Sequence, residues 1–497
     1  MVIEVNNVYG KIIDNLSIDQ LAIIQQECQF KVDGSEYKAM AFRNRTKGAF
    51  QFDGYKRLFN IQTRRFPIGL LSRIVSMLNR YGIKVDIIDK RIHLDDKYNY
   101  QKAENVNNPR DYQQQAILAS VINGNGVLKV ATGGGKTTIA GNTICALQKK
   151  TIFIVHTKDL LYQAKETFER MYPHEKIGQI GDGIIDYQNI TVATMQTLAI
   201  LGNIKNTEKK SRYDEENNCM ETELTEAQIK SAHFHKYAVT VQCIMMDEVQ
   251  IVSSQTAQSV RFLFESADYA FGYSASPWRD DGSDLAIEGA FGRRIVDITA
   301  SELIRRGYLV RPTIEVHNTT YECDDISGNY TQIYTRYIVE NLERNCQVAQ
   351  DAICQWKSGK NTLILVTQIK HGNLIASIIK NNYGEDVSFI SGKSSTKKRK
   401  QAIQDMRDGK IQLMIASTIA DVGLDIPRLD CIVEAGAGKS SVTALQRLGR
   451  IMRTFEGKTE CKFITYRDKA PYICQHIDRK LEIWRTEEEF IIDEYLS

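Results

Sequence analysis

Val127-Leu128-Lys129-Val130-Ala131-Thr132-Gly133-Gly134-Gly135-Lys136-Thr137-Thr138 opens as an apolar strand, breaks on three glycines and runs on through Ile139-Ala140-Gly141-Asn142-Thr143-Ile144 with helical spacing. Strand, glycine turn and helix start in that order make an anion cradle. Glycines let successive N–H groups point inward, and the helix adds the positive end of its dipole. Thr132, Gly133, Gly134, Gly135 and Thr138 line such a turn, Lys136 brings a mobile charge to the β- and γ-phosphates of a nucleotide, and the Thr137 hydroxyl suits Mg2+. Ala131 stands where the general pattern has its first glycine, but the spacing to Lys136-Thr137 is intact.

A chain of 497 residues is too long for one core and calls for two to four domains. Its 42% hydrophobic and 25% charged residues fit a globular protein and exclude a disordered one. A net charge of +3 says little about nucleic acid, because what counts is where charge clusters. Ten scattered cysteines without a Cys-x-x-Cys pair favour reduced thiols in a cytoplasmic protein over disulfides or zinc. No apolar run reaches membrane-spanning length, and Glu4 with Asn6-Asn7 interrupts any secretory signal, so no membrane partner is expected.

Residues 1–95 read as a small α+β domain. Ser17 caps a short helix, and a second runs from Pro67, at its first position, to Tyr81, with Gly82 beyond its end. Between Tyr37 and Arg73, nine cations (Lys38, Arg43, Arg45, Lys47, Lys56, Arg57, Arg64, Arg65 and Arg73) stand against one acid, Asp53, interleaved with aromatics. Cations resist burial, so they are expected to form an exposed face that binds nucleic-acid phosphates. Residues 95–108 read as a polar linker. Arg110 and Gln113 then open a helix with Tyr112; a glutamine and a ring there suit an adenine's edge and face, and suit a plain helix start equally well.

Short continuous apolar runs (Thr151 to Val155, Ile190 to Ala193, Cys243 to Met246, Tyr269 to Tyr273) alternate with helical patterns, as in a parallel sheet covered on both faces. Residues 203–235 break the pattern with a charged, strand-free insertion expected to be exposed and mobile. A second set follows beyond residue 311: Thr362 to Val366, Val387 to Ile390, Leu413 to Ala416, Cys431 to Val433 and Cys461 to Ile464. The expected architecture is α/β, with two tandem parallel-sheet domains over 96–310 and 311–497.

Asp247-Glu248 ends an apolar strand, where an α/β sheet places its ligands; Asp247 suits Mg2+ and Glu248 suits polarising a water. Arg447, Arg450 and Arg453, three apart, share roughly one face of a helix and are expected to reach a γ-phosphoryl group rather than to form an acid-paired stripe.

The ordered set resembles the superfamily 2 helicases and translocases. Ala131 to Thr138 stands as motif I, Val155 to Leu160 as Ia, Ala193 to Thr197 as Ic, and Asp247-Glu248-Val249-Gln250 as II. Ser274-Ala275-Ser276-Pro277 stands as III, Ala416-Ser417-Thr418 through Asp421 to Asp425 as V, and Gln446 to Arg453 as VI. Gly272 to Asp281 and Ala435 to Ser440 are similar to the branch holding XPB and restriction-type translocases; Phe50 to Arg57 with Phe66 to Leu70 resembles the accessory domain of phage UvsW-type helicases.

That resemblance implies two RecA-like domains using ATP and Mg2+ (Thr137, Asp247), with catalysis by Lys136, Asp247, Glu248, Gln250, Arg450 and Arg453. Gly423, Asp425 and Gln446 would line the nucleotide, and Thr157, Thr194, Gln196, Thr367 and Ser417 would hold nucleic-acid phosphates. It implies a phage enzyme of the host cytoplasm, a monomer, remodelling forks, Holliday junctions and R-loops. Gln250 replaces the usual histidine of motif II, so coupling to motif III would pass through an amide that cannot titrate. The competing readings are an RNA-directed helicase, the translocating subunit of a restriction complex, and a clamp that binds ATP without turning it over.

Overall fold

The computed structural model describes the chain except residues 33–52, 105, 107, 204–224, 251–254, 276–283, 324–326, 418–425, 439–440 and 496–497. Arg43, Arg45, Gly423, Asp425, Ser276 and Pro277 therefore lie outside the described residues. The chain divides into two compact units, Met1–Val130 with Gly135–Asp297, and Ile298–Ser497 with Ala131–Gly134.

In the first unit an eight-stranded sheet runs in the order Ile184–Asp186, Ile177–Gly181, Ile190–Thr194, Thr151–Val155, Cys243–Asp247, Tyr269–Ser274, Asn125–Val130, Arg294–Ile298. Its central strands are buried on both faces, which is why they read as continuous apolar runs. Parallel register sets Asp247 beside Tyr273 and Ser274 beside Lys129, so the acid strand, the serine strand and the strand entering the glycine turn finish at one edge.

The N-terminal residues add a four-stranded sheet, Arg65–Pro67, Tyr9–Ile12, Val2–Val5, Asp86–Asp89, with helices at Ile18–Glu27 and Leu71–Arg80. Ser17 caps the first in a capping box with Gln20, as expected. The second differs from expectation: Pro67 closes a strand, Ile68–Leu70 forms a 3-10 turn, and the α-helix starts at Leu71. Phe66 makes the difference, because its ring fills the N-terminal core and holds its segment extended.

This part docks on the helix Asp284–Phe291, whose Leu285 joins its core. Arg73 binds Glu288 (2.7 Å) and Glu27 (3.1 Å), Asn7 binds Asp268 (2.8 Å), and a Cβ at Gly69 would come within 2.1 Å of the Glu288 carbonyl. The polar stretch read as a linker is strapped to the sheet domain instead. Tyr100 is 3% exposed, its N–H donates to Gln148 (2.7 Å), and Ala103 donates to Met171 (2.9 Å). Of the expected insertion, residues 204–224 lie outside the described residues, and its last part is ordered instead: Glu226–Ala238 is a helix capped by Thr225, with Phe234 buried against Phe264.

The second unit holds a parallel sheet in the order Ser388–Ile390, Leu413–Ser417, Thr362–Val366, Cys431–Glu434, Cys461–Arg467, Pro312–Asn318, Ile491–Tyr495. After Asn318 the chain forms the short helix Tyr330–Tyr334 and a π-helical turn Thr335–Val339 over a core of Tyr321, Ile333, Tyr334, Tyr337, Ala470 and Ile473. The described cysteines are free thiols, and among the described residues no helix is long and apolar enough to cross a membrane.

Candidate functional site

Gly133 (φ +86°) and Gly135 (φ +77°) hold the turn after Val130 in left-handed backbone that a side chain strains, and the helix Lys136–Leu147 starts directly from Gly135. A Cβ at Gly135 would lie 2.5 Å from Gln113 Nε2, so the glutamine amide closes the space over the turn. Gln113 is held there by its own helix start, its Oε1 accepting the Arg110 N–H (2.9 Å) and its amide nitrogen donating to the Tyr112 hydroxyl (3.3 Å). Arg110 thus acts as a helix cap with its backbone.

Lys136 reaches across the sheet edge to Glu248 Oε1 (2.7 Å) and stands 3.8 Å from Asp247 Oδ1, all three side chains no more than 13% exposed. Burial, with Glu248 beside it, pushes the Asp247 carboxyl above its ordinary range against the pull of Lys136. Glu248 is buried too, but the charge and hydrogen bond of Lys136 outweigh that cost and hold it low. Glu248 sits at φ +52°, left-handed backbone that its neighbours must hold in place. From there Gln250 Nε2 donates to Glu248 Oε2 (2.8 Å), and Ser274 Oγ donates to Gln250 Oε1 (2.6 Å). The amide therefore links motif II to the first residue of motif III. His156, whose charge Glu248 favours, is held below its ordinary range by burial; sequence reasoning gave it no role.

In the second unit the helix Ser441–Ile451 carries half-buried Gln446 and Arg450 and buried Arg447, whereas Arg453 lies beyond its end, bridged to Leu309. The three arginines do not share one helical face. Arg447 is corrected to the acid-paired alternative: its guanidinium binds Glu434 (2.6 Å), which also accepts Lys480 (2.5 Å) and Thr465 (2.9 Å), and both cations are buried. Burial and the nearby charge of Arg407 hold Arg453 below its usual range.

The basic N-terminal face is corrected in its described part. Arg73 is an ion-paired interface residue, Arg57 pairs with Asp53, and Lys56 is half-buried. Arg64, in left-handed backbone (φ +55°), donates to the carbonyls of Ile13 (3.0 Å) and Asp14 (2.7 Å). Arg65 stays exposed. Of the residues expected at phosphates, Thr157 caps the helix Lys158–Met171 by accepting from Leu160, and Thr194 is buried with its hydroxyl on Thr197 (2.9 Å). Gln196 is exposed; Ser417 is 2% exposed, so its side chain is corrected from a surface contact to an interior one. Thr367 exchanges a hydrogen bond with the Tyr334 hydroxyl.

Residues 107–279 match the family described as type III restriction enzyme, res subunit, and residues 341–455 match the helicase conserved C-terminal domain. The chain is 27% identical over 376 residues to putative helicase 22 of Sulfolobus islandicus filamentous virus, covering 70% of this chain and 62% of that protein. It is 23% identical over 435 residues to the ATP-dependent DNA helicase uvsW of Enterobacteria phage T4, covering 82% and 80%. Among solved structures, a fragment of a putative HsdR subunit of a type I restriction enzyme from Vibrio vulnificus matches 93% of this chain and 82% of that one at TM-score 0.56 and 16% identity, a likeness of fold alone.

Proposed function

The chain belongs to the superfamily 2 helicases, ATP-dependent enzymes that act on nucleic acid, and on that premise we propose a DNA motor that remodels branched substrates such as forks, Holliday junctions and R-loops. The observation that carries the reading is the unbroken path Lys136, Glu248, Gln250, Ser274. It ties the residue suited to a γ-phosphate to the segment that leads, by chain, into the helix bearing the N-terminal domain.

The residues present fit a nucleotide with Mg2+. The Thr137 hydroxyl and the Asp247 carboxylate are hard oxygen donors, and among the described residues no cluster of three or more His, Cys, Asp or Glu offers a softer metal a home. Mg2+, when bound there, would neutralise charge between phosphate oxygens. Gln113 then recognises the base and Lys136 the terminal phosphates. Glu248, ionised and hydrogen-bonded to Gln250, orients and deprotonates the attacking water. Arg450 and Arg453 offset charge that develops in the transition state, a contribution on the order of 10³–10⁵ in rate where such arginines are present. A role in phage recombination, repair and replication in a host cytoplasm belongs to the same proposal; what supports its DNA-motor part is the likeness to a phage ATP-dependent DNA helicase.

Lys136→Ala tests the reading. DNA-stimulated phosphate release is expected to vanish while DNA binding persists, and wild-type protein should prefer forked or four-way DNA to linear duplex and to matched RNA. Hydrolysis at the wild-type rate by Lys136→Ala, or equal stimulation by linear and branched DNA, overturns it.

A further inference from the structure

We propose that Tyr330 is a stacking platform for an unpaired nucleobase at the carboxyl edge of the second sheet; the proposal rests on the motor reading and adds a base contact to it. Tyr330 is 44% exposed and lies over Tyr334, ring centroids 5.9 Å apart at 30°, with His476 on its flank at 6.1 Å. Tyr334 is buried, and its hydroxyl meets the hydroxyl of Thr367, the residue after the strand Thr362–Val366. A Cβ at Gly436, two residues past the neighbouring strand, would come within 2.8 Å of Thr367 Cγ2. The rings therefore stand where parallel sheets place ligands, beside a hydroxyl suited to phosphate.

The support beneath is rigid. Arg344 and Asp468 form a buried bidentate pair (2.7 and 3.1 Å), the Tyr321 hydroxyl donates to the same carboxylate (3.3 Å), and Tyr321 stacks on Tyr337 at 5.7 Å. Tyr337 lies in the π-helical turn Thr335–Val339, a rare distortion that recurs at functional sites and here follows directly on Tyr330–Tyr334. A buried ion pair and a distorted turn are a costly foundation for a ring that merely covers a histidine. They suit a surface that must hold its plane while a π-face lands on it. An aromatic face stacks with any base, so the contact grips single strand without reading its sequence and favours substrates that expose unpaired bases.

The test measures binding of the full chain to a single-stranded dT oligonucleotide and to one of equal length with an abasic run, together with quenching of a 2-aminopurine placed in the strand. Tyr330→Ala is expected to weaken binding to the base-bearing strand about 5- to 100-fold, to relieve the quenching and to leave the abasic strand unaffected; Tyr330→Phe keeps the wild-type behaviour. Unchanged binding by Tyr330→Ala, or an equal loss on both strands, overturns the platform while DNA-stimulated hydrolysis by wild type leaves the motor standing. A wild-type chain that binds neither strand overturns the platform, and one whose hydrolysis no forked or four-way DNA stimulates overturns the motor as well.

Discussion

The Ser274 hydroxyl donates to the Gln250 amide oxygen at 2.6 Å. Because the same amide donates onward to Glu248, Gln250 relays between motifs II and III through a side chain that does not itself titrate. Gln250→His installs a ring that titrates near neutrality. The ratio of Gln250→His to wild-type DNA-stimulated rates is expected to change between about pH 6 and 8, and Gln250→Ala is expected to lose about tenfold through the broken relay. A flat ratio in the phosphate-release assay would show that the relay does not govern turnover.

Gly69 allows the N-terminal domain its close approach to Glu288. Gly69→Ala drives a methyl group into the Glu288 and Gly289 carbonyls, with cost on the order of 1–3 kcal/mol unless the domain lifts away. The expected outcome is a lower unfolding midpoint and faster proteolysis near residue 95, read by calorimetry and limited digestion.

Arg64 and Arg65 are adjacent and do different work. Arg64 is spent on two backbone carbonyls, so Arg64→Ala should lower stability by about 1–2 kcal/mol with the salt dependence of DNA binding intact. Arg65 is exposed, and Arg65→Ala should weaken binding on all sequences and flatten the salt slope by about one. Titrations from low to high salt separate the two.

His317 sits between Asp351 (3.0 Å) and Glu315 (3.3 Å), with Lys462 on Glu315, the Tyr466 hydroxyl on Asp351 and the Tyr495 ring edge-on to the imidazole. Burial opposes its charge, but the hydrogen bonds and charges of Asp351 and Glu315 prevail and raise it to about 9. A raised histidine stabilises fully below its unfolded value of about 6.5, and that contribution is lost as pH climbs through about 9. Wild type should therefore lose stability between about pH 7 and 10 in denaturant titrations, and His317→Asn should be less stable at pH 7 with a flatter profile.

The central strands could be read from sequence because burial on both faces leaves unbroken apolar runs. Pro312–Asn318 and Ile491–Tyr495 could not. The first is only partly buried, and the second is an edge strand whose Asp493 and Glu494 reach solvent. The meeting of Lys136, Asp247 and Glu248 at one sheet edge was legible because a strand, a glycine turn and a strand end are written in their covalent neighbours. The partners of Arg447 and Arg64 were not. Glu434 and Lys480 flank the arginine helix in sequence, and Ile13 lies 51 residues from Arg64, so only the folded chain decides which carboxylate or carbonyl each guanidinium meets. Charge density alone made both look like contacts for phosphate.

Arg73 and Gly69 sit flush on the helix Asp284–Phe291, which follows motif III in the chain. An outrigger bolted at that point cannot trail behind on a tether. It is carried as one piece with the eight-stranded sheet whose edge holds Asp247 and Glu248.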